Sequence, residues 1–414
     1  MAVNLDDETT ATLEKPLLGT GRTCTWLRSK RTSLFCIVSV LVVLLVFARF
    51  QLSQSRPRFW DQNLRPEFAN EPLGKKTVRY FDGYLLARAG LDGPLDFQAN
   101  VNRALAEEVE FESIAWGVDG GPLKTSGRTA WSGSGEEKRF RQAFGSTELF
   151  TQMLFFGGNN SATTASYGTL FWSGTLFGIP PANKWIDLRV CDFYRIKKDP
   201  EGIYGGLITY NFMMIDWADI LHQAGHSVLP PPTLADGPVL PPAAHDGVPA
   251  PYSILAADRD SRLPLRVAES ILRIDWAGSG EYSHAWHTDV TFYGPRGVGL
   301  ARTSGEFLEH VLGPFRAAFA NRTVVTEVLT SEGNYVAAMG HISGDHVAPW
   351  LGLPPSHKRV SIRFGMHWRV IDAKMKEGWA IFDLPGLFRQ LGLNFFDLAI
   401  QGSAGKVTLL HNFV

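Results

Sequence analysis

The sequence predicts an α+β protein in which one domain is built twice in tandem, preceded by a single transmembrane helix. Three observations carry this. First, the chain repeats itself. Gly178-Ile179-Pro180-Pro181-Ala182-Asn183-Lys184 returns as Gly352-Leu353-Pro354-Pro355-Ser356-His357-Lys358, and Arg189 and Arg195 return at the same offset as Arg363 and Arg369. Six of the eighteen positions from 178 to 195 are identical, without a gap, to those from 352 to 369. A repeat this long is a whole domain, not a solenoid unit of about 20–50 residues. Second, each copy passes from helical spacing into long stretches of strand-like alternation, the pattern of a few helices against one long-stranded antiparallel sheet. Third, an apolar run occupies 34–48, interrupted by Ser39 alone.

Length and composition agree. The 414 residues suit two domains of ordinary size plus extras, and 45% hydrophobic residues supply two cores. The formal net charge is −1, so no excess of basic charge attracts phosphates and nucleic-acid binding is excluded as a class. Of the three cysteines, Cys24, Cys36 and Cys191, only the last lies in the repeat, so neither domain holds an internal disulfide. No metal is expected. His284 and His287 come nearest to ligand spacing, but on a strand that spacing puts their rings on opposite faces.

In chain order, 1–33 is a polar tail. The fifteen residues from 34 to 48 span about 22 Å as a helix, somewhat less than a hydrocarbon core of about 30 Å. The run exits through Arg49-Phe50-Gln51 with no small-x-small cleavage site, so 34–50 is expected to be an uncleaved signal anchor; a signal peptide with a long n-region is the alternative. Lys15, Arg22, Arg28, Lys30 and Arg31 before it, against Arg49, Arg56, Arg58 and Arg65 after it, favour an inner N-terminus. The sequons Asn159-Asn160-Ser161 and Asn321-Arg322-Thr323 suit a lumenal body, and a short span suits the thin bilayer of the early secretory pathway. The expectation is a single-pass protein of the ER or Golgi membrane.

Residues 51–75 form a stalk and 76–228 the first domain. Residues 229–260 are a linker whose prolines favour stiff, extended chain; 261–401 is the second domain and 402–414 a tail. In the second domain, Leu265, Ala268, Leu272 and Trp276 recur at helical spacing. Thr303-Ser304-Gly305-Glu306 forms a capping box for a helix over 307–320, which Pro314 kinks or divides. Strands follow over 323–330, 335–342, 359–370 and 378–382, then a short amphipathic helix from Asp383. In both copies an Asp stands seven positions before a Gln and nine before a Gly: Asp216/Gln223/Gly225 and Asp383/Gln390/Gly392.

The residues that carry the repeat also carry a family likeness. Gly178-x-Pro-Pro-x-x-Lys184, Arg189-x-x-Asp192-Phe193-Tyr194-Arg195, Ile215-Asp216 and Leu221-x-Gln223-x-Gly225 resemble the SnoaL-like polyketide cyclase family. So do the stretch from Tyr293 to Gly299, the second Gly-x-Pro-Pro-x-x-Lys, Trp368-Arg369, Trp379 and Phe382-Asp383. The likeness covers most of both domains. It implies the nuclear-transport-factor-2-like fold, two tandem cones of curved antiparallel sheet closed by helices around a pocket. Members and relatives on that fold include cyclases, isomerases, hydrolases and plain binders, so the fold does not choose a reaction.

Alternation along the strand ending at Arg195 gives the candidate site. One face carries Leu188, Val190, Asp192 and Tyr194; the other carries Arg189, Cys191, Phe193 and Arg195. A carboxylate among Leu, Val and Tyr, turned into a cone, has its pKa raised by desolvation and suits general acid/base work. The resemblance implies that role for Asp192 on a carbon acid, without cofactor. The same alternation leaves open an Asp that bulges to solvent or pairs with arginine. Asn211 is placed to direct its amide beside Asp192. In the second copy the matching face is Ile362, Phe364, Met366 and Trp368, so Met366 stands where Asp192 stood. That pocket is apolar; His346 or His341 is its polar candidate, each read first as a structural histidine, and His367 lies on the opposite face. Asp216 and Asp383 are expected mainly as helix N-caps, with a pocket role second. The arginines are expected to pair with carboxylates on the outer face or at a domain interface.

Two functions remain: a membrane-anchored, cofactor-independent cyclase or isomerase acting through Asp192 on an apolar or polyketide-like small molecule, or a non-catalytic module that binds such a molecule or a partner. The two domains are candidates to pack as a pseudo-dimer.

Overall fold

A computed structural model of the protein describes residues 71–86, 103–128, 135–144, 149–231 and 262–403. All fall in Asn63–Val414, one of two units into which the chain divides; the other, Met1–Gln62, lies outside the described residues. The expected anchor at 34–50, most of the stalk, nearly all of the linker and most of the C-terminal tail lie outside them too. Among the described residues no helix is long and apolar enough to cross a membrane.

The first half contains α1 (Leu73–Leu86), β1 (Leu105–Ser113), β2 (Leu123–Ser126), α2 (Gly135–Phe144), β3 (Leu149–Gly157), β4 (Ser161–Phe171), β5 (Trp185–Ile203), β6 (Gly206–Ile215) and α3 (Trp217–Gln223). The second contains α4 (Arg262–Ile271), continued by a π-helical turn at Leu272–Ala277, then β7 (Trp286–Tyr293), β8 (Leu300–Ala301) and α5 (Ser304–Glu306). A π turn, Phe307–Leu312, leads into α6 (Gly313–Ala318), followed by β9 (Phe319–Glu332), β10 (Tyr335–His346), β11 (Arg359–Ile371), β12 (Lys374–Phe382), α7 (Leu384–Gln390) and α8 (Phe395–Ser403).

The two halves share one topology. Their six-stranded sheets run β2-β1-β6-β5-β4-β3 and β8-β7-β12-β11-β10-β9. Register matches as well: Asp192 on β5 stands between Thr164 on β4 and Met213 on β6, as Met366 on β11 stands between Ala338 and Ala380. The expected purely antiparallel sheet needs correction. In each half the first strand pairs parallel with the last, β1 with β6 and β7 with β12. Parallel pairing requires a long connection, and nearly the whole half separates those two strands.

Local chemistry explains the helices. Asp216 and Asp383 cap α3 and α7, accepting from the backbone N–H of Asp219 and Gly386. The repeated glutamine fastens the far end of the same helix to the sheet. Gln223 accepts from the Asp187 N–H and donates to its carbonyl, and Gln390 does the same at Ser361. Thr303 caps α5 by accepting from the Glu306 N–H, while the Glu306 carboxylate takes the N–H of Arg302. Pro314 sits in the first turn of α6, where hydrogen bonding changes from π to α. The expected single helix is divided there because proline has no N–H to give.

Each sheet has a helix-covered face and a face turned to the other sheet. Leu188, Val190, Phe364, Met366 and Trp368 belong to the helix-packed core. Cys191, Phe193, Phe212 and Met214 of the first sheet form a second cluster with Val328, Met339, Trp379 and Ile381 of the second. Cys191 and Gly365, which correspond in the repeat, meet there. A Cβ on Gly365 would lie 2.6 Å from the Cys191 sulfur and 3.0 Å from the Phe193 ring, so the absent side chain sets the approach. Polar ties cross the same seam: Thr163 Oγ1 lies 2.7 Å from His367 Nε2, and Lys75 pairs with Glu332 at 3.0 Å.

The segments that leave each half also cross over. Past α3, Leu229 lies 2.5 Å from where a Cβ on Gly297 would be, and Pro230 lies 3.3 Å from where one on Gly352 would be. Past α7, helix α8 seats Phe396 on Gly120 and Ile400 on Gly178 of the first half. Gly120 and Gly297 have φ of 69° and 88°, a left-handed backbone that favours glycine and brings it close to its neighbour. Phe396 joins Trp217 and Phe177 at ring distances of 5.6 and 4.4 Å.

Candidate functional site

The site begins with the pleat of β5. Alternation sends Leu188, Val190 and Tyr194 to the helix-covered side, where each is buried, and Asp192 with them. Leu188 and Val190 join the core beneath α2 and α3, while Tyr194 packs with Val78 and Phe81 of α1. Asp192 keeps part of its surface open although it lies deep in the domain. Asn211, buried on the neighbouring strand, donates from Nδ2 to Asp192 Oδ1 at 3.2 Å. Burial pushes the Asp192 carboxyl up to about 7, against the hydrogen bond from Asn211, which favours the ionised form. Near neutral pH such a group is divided between acid and base, the condition for giving and taking protons. Thr164 and Met213 are its cross-strand neighbours; the sequence expectation did not name them, since register is invisible from one strand alone.

The arginines went to the seam. Arg189 is buried and pairs with Asp216 at 2.6 Å. It also donates to the carbonyls of Tyr293 and Gly294 in the second half, at 3.3 and 3.0 Å. Its counterpart Arg363 pairs with Glu327 at 3.1 Å and lies 3.7 Å from Glu112 of the first half. Arg195 donates to the Glu327 carbonyl, and Arg369 pairs with Glu377. Asp216 is thus the expected cap and also a counter-ion, on the seam side of β5 and away from Asp192.

The second half answers differently. Phe364, Met366 and Trp368 are each 0% exposed, leaving no surface to solvent or to a void. The expectation that they line a pocket is therefore corrected: they are packed core. The cause is visible in the register. Gly378 stands where the first half has Asn211, and a Cβ there would lie 3.0 Å from Trp368 Cδ1. The indole occupies the space that the amide fills in the first half. His346 is fully buried as well, its ring stacked on Phe319 at 5.2 Å and its Nδ1 3.2 Å from Ser356 Oγ; it is a core residue rather than a pocket wall. His341 lies 3.3 Å from Glu327 at the seam. Burial holds His367 down at about 3, a neutral ring between the sheets. Among the described residues no three His, Cys, Asp or Glu side chains are grouped to hold a metal ion.

Residues 271–391 match the family model described as SnoaL-like polyketide cyclase. No curated protein matches the chain in sequence. Solved structures similar to it include AclR of Streptomyces galilaeus, at 21% identity and a TM-score of 0.27, covering 32% of this chain and 93% of its own. IdmH of Streptomyces antibioticus, a candidate polyketide cyclase, shows 22% identity and a TM-score of 0.29, covering 31% of this chain and 99% of its own. TsrD of Streptomyces laurentii shows 25% identity and a TM-score of 0.28 over 32% of this chain and 97% of its own.

Proposed function

We propose that the first half is a second SnoaL-like copy and the working one. It is a cofactor-independent acid–base site in which Asp192 moves a proton at a carbon next to a carbonyl, in an apolar or polyketide-like small molecule. The observation that carries this is a deeply placed carboxyl among Leu188, Val190 and Tyr194, held by the buried Asn211 amide and pushed up to about 7 by its burial. The ionised carboxylate takes the proton from carbon and leaves an enolate. The carboxylic acid so formed returns the proton to carbon or oxygen, or the enolate closes a ring on a second carbonyl of the same molecule and the acid protonates the alkoxide that results. Asn211 fixes the carboxyl and favours its ionised form. The second half, with Met366 in the acid's place and a filled interior, acts as a scaffold and pseudo-dimer partner.

Exchange of α-protons in heavy water tests this, using a panel of apolar 1,3-diketones followed by NMR. The wild-type protein should accelerate exchange, and Asp192→Asn should lower the rate by about 10²–10⁴ with the fold kept. Wild-type exchange no faster than buffer would remove the enzyme reading. The non-catalytic reading is favoured by the close packing around Asp192, where Val190 and Tyr194 are each 3% exposed. It expects saturable binding of the same diketones without exchange.

For the cell, the proposal keeps 34–50 as the anchor and places the body in the lumen of the endomembrane system. Asn159 and Asn321 are both exposed, so both sequons can be reached by the glycosylation machinery. A mobility shift on enzymatic deglycosylation of the cell-expressed protein is expected; digestion of the body by protease added from the cytosol would overturn it.

A further inference from the structure

Away from Asp192, a cleft of about 410 Å³ opens at the rim of the seam, where α3 of the first half meets the 294–299 loop of the second. Its volume is at the lower end of the range for small-molecule sites, roughly 300–1,000 Å³. The apolar wall is Leu188, Tyr293, Pro295 and Leu300. Asp187, Asp216 and Asp219 stand on the polar side with Arg296 and His222. The charges do not cancel. Asp216 is occupied by Arg189 and by the N–H of Arg296, and one Arg296 nitrogen lies 2.7 Å from His222 Nε2. Among the described residues three carboxylates stand here with two guanidinium groups, and Asp219 also accepts from Gln223 Nε2 at 2.9 Å. Burial first, and then the neighbouring Asp216, push the Asp219 carboxyl up to about 6, against Arg189, Arg296 and the hydrogen bond from Gln223.

A second observation points to a ligand. Tyr167 lines the cleft, and among the described residues its buried hydroxyl has no hydrogen-bond partner, a costly arrangement for a group that both donates and accepts. Nor does the fold need the Asp219 side chain. Its counterpart is Gly386, where the helix cap is made by the same backbone N–H and the glutamine bonds to the Gly386 carbonyl instead. Tyr167 and Tyr293 correspond to His341 and Glu112 in the other half, so the chemistry is present on one side of the seam only.

We propose that this cleft binds a small molecule with a protonated amine on an apolar body, the Asp219 carboxylate and Tyr167 hydroxyl accepting from the ammonium and Leu188, Tyr293, Pro295 and Leu300 enclosing the rest. Calorimetric titration of the full chain at neutral pH tests it with three probes of one shape: phenethylamine, 2-phenylethanol and 3-phenylpropionate. The amine should bind saturably at one site, the alcohol at least about tenfold more weakly, and the carboxylate not at all. Asp219→Asn and Tyr167→Phe should each weaken the amine by about tenfold or more. Leu300→Trp, which fills the cleft without touching its charges, should abolish binding. Asp192→Asn should leave it unchanged, which separates this site from the acid–base site. Tighter binding of phenylpropionate, amine binding that survives both Asp219→Asn and Tyr167→Phe or is lost in Asp192→Asn, or no saturable binding of the amine would each overturn the proposal.

Discussion

Asp192 and Met366 hold the same place in the two sheets, and their surroundings changed together. Around Asp192 stand Thr164, Met213 and Asn211; around Met366 stand Ala338, Ala380 and Gly378. Every polar neighbour in the first half has an apolar or absent counterpart in the second, and Tyr194 gives way to the larger Trp368. A half relieved of a polar site fills its interior. A half that keeps one leaves a carboxyl partly desolvated, at a standing cost to stability.

The sharpest way to break this comparison is to move the acid. Met366→Asp puts a carboxyl into a place with no surface and no partner, and should cost about 3–5 kcal/mol; chemical denaturation measures it. Asp192→Met, the reverse change, should be neutral or stabilising. Equal losses from both would mean that the halves do not differ as described.

Next in size is the pH dependence of stability. The Asp192 carboxyl is raised in the folded protein above its value of about 3.9 in the unfolded chain. Its contribution is therefore fully present below about pH 4 and is lost as pH rises through about 7. Allowing for partial exposure, the fall should be on the order of 2 kcal/mol. Urea unfolding across that range should show it, and Asp192→Asn should make the fall shallower, leaving the part owed to the likewise raised Asp219 and Asp383; Met366→Leu should leave the slope intact.

Gly365→Ala probes the seam where the halves are closest. Its methyl group would strike the Cys191 sulfur and the Phe193 ring, costing about 1–2 kcal/mol. Cys191→Ala should recover part of that loss in the double variant, and strict additivity would show that the two positions do not meet.

The smallest effect lies at the far end of β4 and β10. Phe171 faces Trp185 at 5.3 Å on an exposed edge of the first half, where the second half has the ion pair of Asp345 with Arg359. Replacing Asp345 and Arg359 together with alanine should move the melting temperature hardly at all, since exposed ion pairs contribute little. A large shift would show that this edge supports the second half in a way its counterpart does not.

Much of the fold was legible. Period-two alternation sorted β5 correctly, because the inward and seam-facing sides each keep their own residue types. The capping role of Asp216 and Asp383 could be read from their position before a short amphipathic helix. Asn211 was found because both strands around Asp192 alternate cleanly. The parallel pairing of first and last strands was not legible, since the strand carries no mark of its partner's direction. Nor was the filling of the second pocket. Phe364, Met366 and Trp368 look the same in sequence whether they line a cavity or close one, and only Gly378 under the Trp368 ring decides it. The cleft at the seam was hidden because its walls come from distant parts of the chain; Asp216, Asp219 and His222 on one short helix were the available signal.

The crossing of helix α8 bears on the timing of synthesis. The aromatic cluster of Trp217 and Phe177 in the first half takes its last ring from Phe396, near the end of the described chain. When the first half leaves the ribosome, that ring has not been made. At about 5–20 residues per second, it follows on the order of ten seconds or more later. For that interval the emerging half exposes an apolar face to the machinery that receives new chains. Ribosome-bound intermediates with α3 clear of the exit tunnel should be cleaved by protease near Phe177, and the released full chain should resist.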